Sequence, residues 1–63
     1  MATIIIGNES IDVSNGITIE KAMTDAGKYP DAFIFIIEGK PVPMTVIIEN
    51  GMKIEAVRVA SGG

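Results

Sequence analysis

A chain of 63 residues with no histidine and no cysteine has few ways to do chemistry with its side chains. The nucleophile–base pairs built on those residues, and the usual zinc sites, are closed to it. Ser10, Ser14 and Ser61 have no neighbouring base. A pair of carboxylates would serve acid–base work, but Asp12, Glu20, Asp25, Asp31 and Glu49 are scattered where solvated faces would put them. The seven glycines form neither GxGxxG nor a P-loop, so no nucleotide cradle is visible. The expectation is no catalytic residue, no metal site, no cofactor and no enzyme activity of its own. What remains is the last stretch, VASGG, from Val59 to Gly63. Chain ends are often small, polar and disordered, and Gly62 and Gly63 taken alone carry only that meaning.

The elements that lead to this stretch decide whether it means more. TIIIGNESIDV reads as two short β-branched strands around a tight turn at Gly7-Asn8, a glycine-first pair of the kind a two-residue hairpin accepts. In ITIEKAMTDAG the period changes: Ile19, Ala22, Met23 and Ala26 fall at i, i+3, i+4 and i+7, one face of a helix. Thr18 is the expected N-cap, Glu20 sits in the first turn, and Gly27 is the stop. The helix should run about three turns, with an apolar face narrow enough to need a sheet beneath it.

AFIFIIEGKPVP then divides by period two into Phe33, Phe35 and Ile37 on one face and Ile34, Ile36 and Glu38 on the other, and is closed by Gly39, Pro41 and Pro43. TVIIENG looks like a short strand ending in a turn at Asn50-Gly51, and MKIEAVRVA is a last strand that runs straight into the tail. Strand, strand, helix, strand, short strand, strand is a two-layer α+β order. The hairpin and the final strand share one mixed sheet only if the last strand lies between earlier ones, with its C-terminus leaving at an edge. That is the β-grasp arrangement: a mixed four- to five-stranded sheet with one helix packed on one face. Residues 1–60 are read as a single domain and 61–63 as a flexible tail.

Composition narrows the class further. A domain this small buries roughly 60% of its unfolded surface, so its core must be dense, and twelve isoleucines and five valines supply it. The lack of cysteine suits a reducing cytosol. The longest apolar run, AFIFII, falls far short of the ~20 residues a membrane span needs, and MATIII lacks the basic start of a signal peptide. Eight acidic against five basic residues, net −3, speak against a nucleic-acid binder. A soluble, cytoplasmic monomer that engages neither membrane nor nucleic acid is expected.

The layout of hairpin, helix, FIFIIEGKPVP, turn and NGMKIEAVRVASGG resembles the ubiquitin-like sulfur carriers ThiS and MoaD, and especially the small archaeal modifier proteins. The resemblance covers the whole chain. Its most specific pieces are the third strand ending EGKPVP, the strand NGMKIEAVRV and the terminal SGG, and EGK is also similar to the end of the third strand of ubiquitin. The resemblance implies a chemistry for the C-terminus. In these families an ATP-dependent activating enzyme, of the ubiquitin-activating or ThiF–MoeB type, adenylates the terminal glycine carboxylate. Sulfur then attacks the acyl-adenylate to give a thiocarboxylate, or a thiol does so on the way to an isopeptide bond with a lysine. Gly62 and Gly63 are the positions implied for activation and conjugation. Having no Cβ, they can thread a narrow channel to a buried phosphate, and Ser61 is small enough to follow. A sulfur-acceptor enzyme and target-protein lysines are the implied downstream partners.

Period two also suggests where such partners dock. With Phe33, Phe35 and Ile37 against the helix, Ile34 and Ile36 lie on the open face, and ubiquitin carries an exposed apolar residue at the position matching Ile36. On the last strand Ile54 and Ala56 point inward, which leaves Val57 and Val59 outward beside Lys53 and Glu55. Ile34, Ile36, Val57, Val59 and Ser61 are therefore the expected partner-binding residues, an apolar patch rimmed by charge. Between Pro43 and Asn50 the chain has only MTVIIE, shorter than the corresponding stretch of typical bacterial ThiS and much shorter than in MoaD. This departure favours the small archaeal modifier group. It leaves open a thiocarboxylate, a lysine conjugate or both. The alternative is a ubiquitin-like binding module that uses only its apolar sheet face.

Overall fold

The computed structural model describes residues 1–59. Two strands, β1 (Ala2–Ile6) and β2 (Glu9–Val13), open the chain and are followed by one helix, α1 (Ile19–Asp25). After a 3-10 turn at Pro30–Ala32 come β3 (Phe33–Ile37), β4 (Lys40–Val42) and β5 (Lys53–Arg58). The five strands form one sheet in the order β2-β1-β5-β3-β4. β1 and β5 run parallel, and every other neighbouring pair is antiparallel. One helix on a mixed sheet whose last strand is the middle one is the β-grasp fold. No helix among the described residues is long and apolar enough to cross a membrane.

The alternation of β-branched and polar residues sets the facing of every strand. Ala2 and Ile4 of β1, Val13 of β2, Phe33 and Phe35 of β3, and Ile54 and Ala56 of β5 are buried on the helix side. There they share one core with Ile19, Ala22 and Met23 of α1. The core holds no buried polar side chain among the described residues, so its cohesion is hydrophobic burial and close packing. Phe35 lies in register with Ala56 on one side and Val42 on the other. The small Ala56 leaves room for the ring, and the Phe33 ring stands 6.4 Å away, centroid to centroid.

The helix is shorter than its apolar period suggests. It spans seven residues, about two turns, and Ala26 is its exposed C-cap instead of a fourth core position. The cause is a Schellman closure: Gly27, at φ +78°, turns the chain so that its N–H meets the Thr24 carbonyl at 3.0 Å and the Lys28 N–H meets the Met23 carbonyl at 2.9 Å. At the other end Thr18 is the N-cap, its side chain accepting from the Lys21 N–H at 3.0 Å.

TVIIENG is not a strand of the sheet. Its backbone is taken up by the start of the helix: the Ile19 N–H donates to the Val46 carbonyl at 3.0 Å and the Glu20 N–H to the Met44 carbonyl at 2.9 Å. Ile48 exchanges bonds with the segment just before, donating to Ile17 and accepting from Gly16, both at 2.8 Å. Residues 43–50 thus strap across the helix N-terminus, satisfy donors that a helix start leaves open, and bury Ile48 in the core. The short strand is β4, which contains Pro41. Proline is tolerated there because β4 is a lateral edge and needs hydrogen bonds on one side only.

β3 and β4 are joined by a two-residue turn, Glu38-Gly39, with φ of +52° and +79°. Two positive φ values make this a type I′ turn, for which Asn-Gly is the preferred pair. Glu38 is the non-glycine residue with positive φ among those described, and its side chain crowds the following carbonyl in that region. Glu38→Asn should therefore stabilise the domain by about 1 kcal/mol, read as a higher urea midpoint at an unchanged m-value. A lower midpoint would mean that the Glu38 side chain makes a contact worth more than the strain it carries.

Candidate functional site

With the helix on one face, the opposite face of the sheet is left open, and strand register determines which side chains meet there. Ile34 of β3 lies opposite Val57 of β5, and Ile36 lies opposite Glu55. Ile34 and Val57 are 47% and 46% exposed, a large fraction for aliphatic side chains in a sheet, and Ile36 is half-buried. Three of the expected partner-binding residues are therefore brought together. Val59 follows the end of β5, is half-buried, and donates its N–H to the Ala32 carbonyl at 2.9 Å. Ser61, Gly62 and Gly63, with the flexible tail expected of 61–63, lie outside the described residues.

Register also adds members that period two alone did not collect. Ile5 of β1 lies opposite Glu55 in the parallel pair, Ser10 of β2 lies opposite Ile5, and Pro41 of β4 lies opposite Ile36. One row across the open face therefore reads Ser10, Ile5, Glu55, Ile36, Pro41. Charge was expected to rim the patch. Glu55 instead stands inside it, flanked by isoleucine on both sides, because β5 is the middle strand and its side chains have neighbours left and right. The signal for Ile5 was present in the alternation of β1, where Ile5 points away from the buried Ile4. What no local pattern reveals is that β1 pairs with β5.

Shallow clefts flank Glu55. Towards the C-terminal end of β5 the walls are Ile5, Ile6, Gly7, Val57 and Arg58. Towards its N-terminal end they are Glu38, Glu49, Asn50, Met52 and Lys53. Arg58, the last residue of β5, points to the helix side in register with Phe33 and holds its guanidinium carbon 5.1 Å from that ring's centroid, a cation–π distance. The strand thus ends on a charged residue tied to an aromatic ring, and it lies between earlier strands, as expected.

Ser10 and Ser14 are exposed, and neither forms a hydrogen bond to a carboxylate or lysine among the described residues. The ion pairs are peripheral: Lys21 with Asp25 at 2.8 Å along the helix, and Lys28 with Glu9 at 4.0 Å. Exposed pairs of this kind contribute little to stability. The open face as a whole is aliphatic with one internal carboxylate, and its middle strand is the one that precedes VASGG in the sequence. No protein-family model matches the sequence, and no curated protein sequence matches it significantly.

Proposed function

We propose that the chain is a ubiquitin-like carrier whose Gly63 carboxylate is activated by an ATP-dependent enzyme and passed on as a thiocarboxylate, as an isopeptide with lysine, or as both. A carboxylate is a poor electrophile. Attack of its oxygen on the α-phosphorus of ATP, with loss of pyrophosphate, gives a mixed anhydride from which AMP departs when a hydrosulfide equivalent or a thiol attacks the acyl carbon. The carrier contributes a reachable carboxylate and a surface that holds it in place, and the activating enzyme contributes the rest. The observation that carries this reading is the middle position of β5: it supplies Val57 to the open face and precedes VASGG in the sequence, so docking through that face fixes where the strand's end at Arg58 lies against the partner. Gly62 and Gly63 can follow a narrow channel for want of a Cβ, and the entropy lost on threading is offset by the docked face.

A second reading has its own support. Ile5, Ile34, Ile36 and Val57 form an interaction face without any help from the tail, which suffices for a non-catalytic binding module. The intact mass of protein isolated from its native host separates the two. The carrier reading expects Gly63 to bear the free carboxylate and a fraction of molecules heavier by the difference between one sulfur and one oxygen, or target peptides bearing a Gly-Gly remnant on lysine. If the mass shows further residues after Gly63 that are never removed, or neither product is found, the binding module replaces the carrier.

A further inference from the structure

Glu55 gives the open face a property that a plain aliphatic patch lacks. Its neighbours across the sheet are Ile5 and Ile36, and Val57 follows two residues along on the same face of the same strand. A partner that covers Ile5, Ile36 and Val57 must therefore cover Glu55 as well. Among the described residues Glu55 has neither a hydrogen-bond nor an ion-pair partner, so in the free protein its charge is held by water. A carboxylate stripped of water and given nothing in return opposes binding more strongly than a few aliphatic contacts favour it. Lys53, the cation nearest along the strand, lines a cleft with Glu38, Glu49 and Glu55. One ammonium among three carboxylates leaves that side of the face negative.

We propose that the open face docks a protein surface that presents an arginine or lysine set among aliphatic side chains. The cation meets Glu55, and the aliphatic groups cover Ile5, Ile34, Ile36 and Val57. The inference rests on the reading of this face as a docking surface but not on the tail. Charge selects the partner: an apolar surface without a cation leaves Glu55 unpaired, and one with an acidic centre is repelled. A second copy of the chain is a poor occupant, because each copy carries net −3 and would bring its own Glu55 to the contact.

The test is an NMR titration of the isotope-labelled full chain with two synthetic hexapeptides, one alternating leucine with arginine and the other alternating leucine with glutamate. The arginine peptide should shift the backbone amides of Ile5, Ile34, Ile36, Glu55 and Val57 and bind about tenfold or more tightly than the glutamate peptide. Glu55→Gln should remove most of that preference. Glu20→Gln, which deletes the same charge from the helix, should leave it in place, and a chain lacking Gly63 should bind like the full chain. The proposal is overturned if neither peptide moves the open-face amides, if the two bind equally, or if the two glutamine variants lose affinity to the same extent. It is equally overturned if those amides shift with protein concentration alone, which would assign the face to a second copy. Loss of sulfur transfer or conjugation on removing Gly63 tests the carrier reading separately, so either idea can fail without the other.

Discussion

Phe35→Ala should remove at least a third of the domain's stability. Phe35 is 2% exposed, lies in the row Val42–Phe35–Ala56 beneath the helix, and belongs to the same core as Ile4, Met23 and Ile54, each with no exposed surface. Removing a buried phenyl ring loses its transfer free energy and leaves a cavity, together about 3–5 kcal/mol. A domain of this length has roughly 3–9 kcal/mol of stability in total, so the substitution consumes about a third of it or more. The neighbouring change Ile34→Ala makes the internal control. Ile34 is on the open face and 47% exposed, and its truncation should cost about 1 kcal/mol or less. Urea melts followed by circular dichroism read both. Equal effects, or a neutral Phe35→Ala, would mean that the facing of β3 is the reverse of the one described.

That facing was legible in the sequence because it is a local property: FIFII can present only two alternate sets, and the set with both phenylalanines is the larger payload for a core. The Gly7-Asn8 hairpin, the Thr18 cap and the Gly27 stop were legible for the same reason, since each depends on residues a few positions apart. The features that were not legible all depend on distant partners. TVII has the composition of a strand, but its backbone is spent on the start of the helix, and nothing within those four residues says so. KPV carries a proline and reads as a terminator until it is known to lie at the sheet's edge. Ala26 has the right spacing for the helix face, yet the closure at Gly27 draws the chain away one residue earlier. In the candidate site the same division holds. Ile34, Ile36 and Val57 follow from alternation, whereas Ile5 and the central place of Glu55 follow from the parallel pairing of β1 with β5, a contact between the two ends of the chain.

The second large effect expected is functional. A chain lacking Gly63 should keep the fold, because the eleven buried hydrophobic residues among those described lie between Ala2 and Ala56, and it should lose activation entirely. Substitutions on the open face should behave differently. Ile36→Asp or Val57→Asp should place an unpaired charge in the docked surface and raise the KM for the carrier, while a large excess of activating enzyme recovers part of the rate. Position of the carboxylate thus governs whether the adenylate forms, and the face governs how readily the two proteins meet. That split between loss of turnover and loss of affinity distinguishes a tail that reacts from one that merely follows the last strand.

The most direct measurement is ATP–pyrophosphate exchange catalysed by the host's activating enzyme, with the full chain and the chain lacking Gly63 compared at saturating concentration. The carrier account predicts exchange with the full chain, none above background with the truncated one, and matching melting curves for the two. Exchange that persists without Gly63 would contradict it.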